Sequence, residues 1–418
     1  MSFNITNQAA NAVNAPGRIS PVAGAPTIES LVAAAAAMVP ELRALGQQTE
    51  ANRRLSEEMC NRFREAGFFK LLQPGRYGGY EYGFTALIDL ISELGRGCSS
   101  SAWACSLGVI HQWLLSLFPA QAQEDVWGQD PNALMCGSYA PVMMAEAVDG
   151  GYMIHGKWRW ASNVDNSQWA VLGVQLPPAE KGAPPTGCFL LVPRSDWTIE
   201  DDWFNAGQAG TGSKAVVIDK PVFVPAHRKL TFPQASSGKP PGAEVNANPI
   251  YSIPFLSVMP ICLVSPLLGN AQGAVELFVE LCSTRVTRGG AGGGGNRLNQ
   301  FAHVQSRLAE AAADVDAARL VLDRDTAEVE RMAVSGQGIS VDKRIRNRRG
   351  HAYAAKRSHA ALQEIFTTVG ATGLALDQPI QRMWRDGNAI AQHITLNWDA
   401  VSTLVGQHML GLEPKGAY

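Results

Sequence analysis

The sequence is short of charge, of long hydrophobic runs and of paired cysteines. Charged residues make up 17% of the 418 residues and the formal net charge is −2, so the chain lacks the basic footprint of a nucleic-acid-binding protein. The longest apolar run, residues 31–40, is too short to cross a bilayer, and the first residues lack the charged-then-apolar order of a secretion signal. We therefore expect a cytoplasmic protein with no membrane span and no nucleic-acid partner.

Several motifs that would define a chemistry are missing as well. The seven cysteines are scattered and include no Cys-x-x-Cys pair, which predicts reduced, mostly buried thiols and neither disulfides nor a zinc site. No His-Glu-x-x-His or Gly-x-Ser-x-Gly occurs, so metallohydrolase and serine-hydrolase chemistry lack their minimum parts, and we expect no metal. No Gly-x-Gly-x-x-Gly follows a predicted strand, which favours an external source of reducing power.

Hydrophobic periodicity divides the chain into an arm, two helical regions and a β-rich region between them. Residues 1–26 are polar and aperiodic, which predicts a flexible arm. Residues 27–130 follow a helical pattern that begins at Thr27 or Ser30. Residues 131–245 contain short β-type runs separated by Gly, Pro and Asp, typical of an antiparallel barrel or sandwich. The runs are 134–140, 151–160, 169–176, 187–193 and 215–224.

The C-terminal region, residues 246–418, returns to helical periodicity over long spans. Successive helical segments of this kind are what a four-helix bundle requires. The glycine run at 289–295 predicts a flexible link between the first two segments. The segments are 258–285, 301–335, 344–369 and 379–411.

A tight turn followed by an aromatic strand is the most informative stretch. Gly150 and Gly151, after an Asp, predict the turn of a β-hairpin. Three Trp residues within twelve positions, beside the small hydroxyl of Ser162, suit a flat heteroaromatic ligand, and an aromatic core is an equally good interpretation. The bulky residues after the turn all fall on even positions, as on one face of a strand: Tyr152, Ile154, Trp158 and Trp160.

The glycine-rich segment 207–214 is not a nucleoside-triphosphate loop. A Walker A motif needs Gly-Lys-Ser/Thr before a helix, whereas here the order is Gly-Ser-Lys and a predicted strand follows. Two interpretations stay open. One is a plain tight turn; in the other, backbone N–H groups and the hydroxyls of Thr211 and Ser213 meet a polar or anionic ligand.

Two histidines, His111 and His393, lie in apolar segments with a predicted helical pattern, each near a Trp. A lone His on an apolar helix face is usually a core residue whose ring nitrogens are hydrogen-bonded. The pair therefore becomes a candidate site only if the fold brings the two rings together.

Several of these features, in this order, resemble the acyl-CoA dehydrogenase fold. They are the strand pair from 149 to 162, the Gly210-Thr-Gly-Ser213 turn, and Gly370-Ala-Thr-Gly-Leu374 followed by Arg385-Asp386. Within that fold, residues 28–412 most resemble the oxygenase components of two-component flavin monooxygenases, such as p-hydroxyphenylacetate and secosteroid-phenol hydroxylases. The resemblance implies an α+β protein with an N-terminal helical domain, a central antiparallel β-domain and a C-terminal four-helix bundle, assembled as a homotetramer.

The resemblance also implies a reaction. A separate NAD(P)H-dependent flavin reductase would supply FMNH2 or FADH2, which would react with O2 to form a C4a-hydroperoxide. That species would hydroxylate a small aromatic substrate, phenolic or heteroaromatic. No Arg occurs within 249–260, where some phenol hydroxylases carry one near the substrate, which disfavours a carboxylated substrate and favours a neutral aromatic or polycyclic one.

The choice of the oxygenase branch depends on one position. Acyl-CoA dehydrogenases commonly carry a Tyr-Glu-Gly-Thr run after the Arg-Asp pair, and its Glu abstracts the α-proton. This sequence has His393 near that place, and an imidazole can accept or share the hydroxyl proton of a phenol. Some dehydrogenases place the Glu elsewhere, so Glu276 and Glu310 stay open as alternative bases. An acyl-CoA dehydrogenase, a non-catalytic assembly protein and an N- or S-oxygenating relative remain the alternatives.

The resemblance assigns further roles to single residues. His111 would act with His393 on the substrate, and Ser162 would bond to the N5 edge of the flavin, where it slows the loss of peroxide. Ser138 and Trp113 are expected beside the substrate. Part of the flavin's phosphate tail would be held by a neighbouring subunit. The expected flavin-binding residues are Trp160, Ser162, Thr211, Ser213, Arg285, Gln305, Gly370, Ala371, Thr372 and Gly373.

Overall fold

The computed structural model describes residues 19–178, 180, 182–286 and 295–418. Residues 1–18 of the predicted arm and nearly all of the predicted glycine link, up to residue 294, lie outside the described residues. All seven cysteines are described, and each is a buried free thiol, as predicted.

The N-terminal region consists of helices whose caps are visible in the sequence. The side chain of Thr27 accepts the N–H of Ser30, and Ser56 accepts the N–H of Met59, so each helix begins with a satisfied backbone donor. Every residue of the fourth long helix is buried, which makes it the central element of this region. The long helices are α1 (Ile28–Asn52), α2 (Glu57–Glu65), α3 (Phe84–Gly95) and α4 (Ser99–Ser116).

The central region contains two four-stranded sheets, with strand orders β1-β4-β5-β8 and β2-β3-β7-β6. The strands pair antiparallel, as predicted, except that β1 and β4 run parallel. Between them the chain crosses to the other sheet, where it forms β2 and β3, and such a crossover allows parallel pairing. Val148 pairs with Gly151 across the predicted hairpin turn. The strands are β1 (Met135–Ser138), β2 (Glu146–Val148), β3 (Gly151–Ala161), β4 (Trp169–Leu176), β5 (Thr186–Pro193), β6 (Thr198–Glu200), β7 (Lys214–Pro225) and β8 (Lys229–Thr231).

The aromatic strand β3 does not keep the regular alternation predicted for it. Its register against β7 shifts between Trp158 and Ala161, and Trp160 has a positive φ of 67°. Trp158 stays in the core, where its indole N–H donates to the carbonyl oxygen of Gly173 over 2.8 Å. Trp160 is 68% exposed, so the prediction that both rings share a face is wrong, and the bulge is the reason.

The C-terminal region contains five long helices among its described residues, one more than predicted. The segment predicted as one helix from 379 to 411 ends at Ala391 and restarts at Trp398. The break forms because the N–H groups of Leu396 and Asn397 both donate to the carbonyl oxygen of His393, and the Asn397 side chain caps the next helix. The helices are α5 (Ile261–Thr284), α6 (Ala302–Val334), α7 (Val341–Val369), α8 (Pro379–Ala391) and α9 (Trp398–Met409).

One helical stretch, Phe255–Thr284, is long and apolar enough to cross a membrane by length and composition. Within the protein, 89% of its most apolar window is buried. It is packed as a core helix against α3, α4, α7 and α8.

Two adjacent charged residues on α8 join the three regions. The buried carboxylate of Asp386 accepts the hydroxyl of Ser99 over 2.7 Å and the backbone N–H of Gln208 over 2.6 Å, which ties α8 to α4 and to the glycine-rich turn. Arg385 pairs with Glu50 on α1 and donates to the carbonyl oxygen of Ala206. Burial raises the pKa of Asp386, and the donors around it partly oppose that effect.

Candidate active site

A cavity of about 1350 Å³ lies where the three regions meet. Its wall is built from the bulged end of β3, the turn at 207–213, one face of α4, and the end of α8 together with the break that follows it. No Asp or Glu side chain is part of this wall in the described portion of the chain. An Asp or Glu side chain could abstract a carbon-bound proton, and the described part of the wall offers neither.

Trp160 provides an exposed flat surface on the cavity wall. Its ring is 68% exposed in a protein whose other indoles are mostly buried, because the bulge and positive φ turn the side chain out of the sheet core. A large exposed ring beside buried polar groups is typical of a ligand platform. The functional interpretation of the aromatic strand therefore applies to Trp160, whereas the core interpretation applies to Trp158.

Three hydroxyl groups stand in a row beside that platform. Ser162 Oγ and Ser213 Oγ are 2.7 Å apart, and Ser213 Oγ and Thr211 Oγ1 are 2.6 Å apart. The indole N–H of Trp103 donates to Ser162 Oγ over 2.9 Å, and Thr211 donates to the carbonyl oxygen of Gln208 over 2.7 Å. All five residues line the cavity.

His393 lies in the break between α8 and α9, and its imidazole lines the cavity. Its Nδ1 accepts the backbone N–H of Thr395 over 3.2 Å, so the neutral ring carries its proton on Nε2. Burial and, to a lesser extent, the nearby positive charge of Arg348 together lower the pKa of His393 to about 4. The ring is therefore a neutral hydrogen-bond donor at physiological pH.

Arg348 supports the break from the α7 side. Its guanidinium Nη1 donates to the carbonyl oxygen of Thr395 over 2.9 Å, the same residue whose N–H holds the His393 ring. Arg348 is 7% exposed, and no ion pair with a carboxylate is found for it within the described ranges. Burial lowers its pKa to about 10, which leaves it cationic at physiological pH.

His111 has the opposite proton arrangement. Its Nδ1 donates to the carbonyl oxygen of Met135 over 2.7 Å, so Nε2 carries a lone pair, and that atom is buried with no partner in the described structure. Burial lowers the pKa of His111 to about 4. A Cβ atom on Gly137 would stand 2.6 Å from this Nε2, so only glycine allows so close an approach of ring and strand. His111 is thus one layer behind the wall formed by Gly137 and Tyr139.

Aromatic side chains close the end of the cavity next to Ser138. Ring centroids are 5.1 Å apart for Tyr139 and Phe189 and 5.4 Å apart for Phe189 and Phe255. Ser138, expected beside the substrate, is on the cavity wall. Trp113 is not on it: its ring stacks behind Phe255 at 6.2 Å, and its indole N–H donates to the carbonyl oxygen of Ile250. The structure therefore places Trp113 out of direct contact with a substrate in the cavity.

The residues expected to hold the phosphate tail of the flavin lie outside the cavity of their own chain. Arg285 donates to the carbonyl oxygen of Val369 over 2.7 Å, which brings it to the turn at 370–373. Gln305 is exposed and donates to the carbonyl oxygen of Asn299. None of these residues lines the cavity of its own chain.

The sequence did not indicate three residues at or near this site: Trp103, Tyr139 and Arg348. Trp103 was detectable, because it stands eight residues before His111 and so lies on the same face of α4. Tyr139 directly follows Ser138, but nothing in the sequence indicates that its hydroxyl is buried without a partner. Arg348 has no sequence signal, since its role depends on a turn formed 47 residues later.

The alternative bases do not reach the cavity. Glu276 pairs with Arg96, with 3.0 Å between Arg96 Nε and a Glu276 oxygen, and Glu310 is exposed. Neither side chain lines the cavity. Within the described ranges, no group of three or more His, Cys, Asp or Glu side chains is arranged to hold a metal ion.

Comparison with known proteins agrees with this geometry. The family model for the acyl-CoA dehydrogenase N-terminal domain matches residues 28–129, and a model for the C-terminal domain matches residues 261–398. The chain is 46% identical over 393 residues to the oxygenase component of FADH2-dependent resorcinol hydroxylase from Rhizobium sp. (strain MTP-10005), covering 93% of this chain and 96% of that protein. It is 37% identical over 376 residues to the flavin-dependent monooxygenase oxygenase subunit HsaA from Rhodococcus jostii (strain RHA1), covering 90% and 97%.

A comparison with a solved structure also points to this group of oxygenases. The crystal structure of 3-HSA hydroxylase from Rhodococcus sp. RHA1 superposes with a TM-score of 0.87 at 35% identity, covering 93% of this chain and 98% of that one. The fold and the cavity thus define a protein of the acyl-CoA dehydrogenase fold. More particularly, the chain belongs to the oxygenase components of flavin-dependent monooxygenases, which receive reduced flavin from a separate reductase.

The cavity fits a reduced flavin. Trp160 offers an indole face to a flat ring system, and the row formed by Ser162, Ser213 and Thr211 offers polar atoms beside it. Bound there, reduced flavin would supply the electrons that activate O2 and allow one oxygen atom to be transferred. The protein's own contribution is to orient the ring, exclude water and hold protons on stated atoms.

The buried neutral histidines make stability depend on pH. An unfolded His titrates near 6.5, whereas the pKa of buried His111 is lowered to about 4, so below pH 6.5 the unfolded chain binds a proton that the folded chain does not. Folding stability is therefore complete above pH 6.5 and decreases as the pH falls towards 4. Between about pH 7.5 and pH 5, the unfolding free energy of wild type should fall by about 2 kcal/mol more than that of His111→Phe, which lacks this titration.

Urea denaturation at both pH values, at one protein concentration, measures this difference. His155 is exposed on β3, and His155→Phe serves as the matched control that should follow the wild-type pH dependence. Equal losses in wild type and His111→Phe would show that His111 is not held neutral.

Proposed function

We propose that this chain hydroxylates a small neutral phenol of the dihydroxybenzene type, using reduced flavin and O2. The observation that carries the proposal is a cavity wall without an Asp or Glu side chain in its described part, on which a neutral imidazole presents an Nε2–H. The oxygenase that is 46% identical acts, by its name, on resorcinol, a neutral dihydroxybenzene. We further propose that the supplying reductase uses NAD(P)H and that both proteins work in the cytoplasm.

The two histidines divide the work on the phenol. His393 donates its Nε2–H to the phenol oxygen and stabilises the negative charge that develops there as the hydroxyl proton leaves. The loss of that proton pushes electron density into the ring. His111 keeps a free lone pair on Nε2 and takes up the hydroxyl proton through the hydroxyl of Tyr139, which lines the cavity and has no partner in the described structure. Ser138 hydrogen-bonds to the substrate from the same wall.

The charges on the wall favour a neutral substrate. Its two described Arg side chains are both engaged: Arg385 pairs with Glu50, and Arg159 Nε is 3.7 Å from an oxygen of Asp202. A carboxylate bound in this cavity would be desolvated without an unpaired cation among the described residues of the wall, which costs several kcal/mol. Neutral phenols avoid that cost.

The flavin-binding roles follow from the same placement. Trp160, Ser162, Thr211 and Ser213 contact the ring system on the cavity wall. Arg285, Gln305 and the turn formed by Gly370, Ala371, Thr372 and Gly373 serve the phosphate tail of a flavin bound to a neighbouring subunit, since they do not reach the cavity of their own chain.

We propose a homotetramer because the residues for the phosphate tail do not reach the cavity of their own chain. Large apolar side chains exposed near the C-terminal helices also support it. Their exposed fractions are 73% for Leu376, 71% for Ile394, 74% for Met409 and 78% for Leu410. Light scattering of the purified protein should give the mass of four chains. A single chain per particle under conditions where the enzyme is active would contradict the assembly.

A coupled assay with a matched pair of substrates tests the function. The purified chain is mixed with a flavin reductase, NADH, FAD and isotope-labelled O2, and then given either resorcinol or 3,5-dihydroxybenzoate. The expected product from resorcinol carries one labelled oxygen atom on the ring. We expect kcat/KM for the carboxylated analogue to be lower by roughly tenfold or more, because its carboxylate is buried without a partner cation.

Two results would contradict parts of this account. Equal kcat/KM values for the two substrates would overturn the preference for a neutral phenol. Peroxide formation without a hydroxylated product from any neutral phenol would overturn aromatic hydroxylation itself.

A further inference from the structure

The row of hydroxyl groups on the cavity wall has a direction that is set at both ends. Trp103 donates its indole N–H to Ser162 Oγ over 2.9 Å at one end, and Thr211 donates to the carbonyl oxygen of Gln208 over 2.7 Å at the other. An indole nitrogen can only donate and a carbonyl oxygen can only accept. Neither end of the row, which contains Ser213 in its middle, can therefore be reversed.

Each hydroxyl has one proton, so the direction of every bond between the ends follows. Because Thr211 uses its proton on the carbonyl, its oxygen accepts from Ser213 over 2.6 Å. Because Ser213 uses its proton on Thr211, its oxygen accepts from Ser162 over 2.7 Å. Ser162 is left with no free proton and one free lone pair. It is an acceptor only, on the wall of the cavity.

We propose that this one-way row makes the site selective for reduced over oxidised flavin. The inference rests on the proposed function, in which the N5 edge of the flavin lies at Ser162. N5 carries a proton in reduced flavin and therefore donates, whereas N5 of oxidised flavin only accepts. Ser162 Oγ accepts a hydrogen bond from N5–H of the reduced form. In the oxidised form, the lone pair of Ser162 Oγ faces the lone pair of N5, and no hydrogen bond forms.

The surroundings keep the row from reorganising. Thr211 is fully buried and Ser162 is 4% exposed, so bulk water does not supply a substitute donor. The carbonyl oxygen of Gln208 also accepts the indole N–H of Trp203 over 3.0 Å, and the N–H of Gln208 is held by Asp386 over 2.6 Å. The acceptor at the end of the row is thus fixed from the β-region and from α8, and Trp103 and Thr211 act as positioning residues.

The experiment replaces the end of the row without changing its shape. Thr211→Val removes the hydroxyl that imposes the direction, and the carbonyl oxygen of Gln208 keeps the Trp203 donor. Ser213 and Ser162 can then rotate, so Ser162 can donate to oxidised N5. Thr211→Ser retains the hydroxyl and is the matched control. The full chain is titrated anaerobically with FAD and with dithionite-reduced FAD, and the midpoint potential of the bound flavin is measured.

We expect wild type and Thr211→Ser to bind reduced FAD more tightly than FAD. In Thr211→Val the ratio of the two dissociation constants should shrink roughly tenfold, mainly through tighter binding of FAD. The midpoint potential should fall by roughly 30 mV for a tenfold loss of this ratio. Ser213→Ala breaks the row at its middle and should shift the ratio in the same direction, which keeps the test decisive if the Val variant does not fold.

The outcomes separate the inference from the function on which it rests. A ratio that stays within about twofold of wild type in both Thr211→Val and Ser213→Ala would overturn the one-way row, even if these proteins still hydroxylate phenols. Failure of wild type to bind either form of FAD would overturn the proposed function and the inference together.

Discussion

The buried carboxylate of Asp386 joins the three regions whose meeting forms the cavity. It belongs to α8 and accepts hydrogen bonds from the hydroxyl of Ser99 on α4 and from the backbone N–H of Gln208 in the glycine-rich turn. Each region contributes one functional group to the wall: Trp103, the row of hydroxyls, and His393 at the end of α8. Arg385 on α8, which pairs with Glu50 and donates to the carbonyl oxygen of Ala206, adds to this junction. The site is thus a consequence of how helices and sheets are held together.

Much of the fold could be predicted because periodicity is a local property. Trp169–Leu176 has the bounds that the sequence predicts, and the first helix is capped by Thr27, one of the two residues predicted for that position. The break after Ala391 was not predicted, because Ile390 and Ile394 continue the helical spacing of apolar residues. The break depends instead on bonds to the His393 carbonyl and on the Asn397 cap.

The site could be predicted in its residue types but not in its chemistry. The sequence indicated His111 and His393, yet their opposite proton arrangements depend on Met135 and Thr395, whose backbone groups the fold brings to the rings. An imidazole that accepts a backbone N–H at Nδ1 cannot also take up a phenol proton there. We therefore propose that His393 donates a hydrogen bond from Nε2 to the phenol, in place of the expected role of accepting or sharing the phenol proton.

The account depends most on the Nε2–H of His393 stabilising the phenol oxygen, and a single-turnover measurement tests this directly. Reduced flavin bound to the enzyme is mixed with O2 and resorcinol, and hydroxylated product and hydrogen peroxide are quantified per flavin oxidised. His393→Ala should lower the product yield roughly tenfold or more, with peroxide replacing the product, whereas His393→Gln, which keeps a side-chain N–H, should retain more of it. A product yield in His393→Ala within about twofold of wild type would contradict the account.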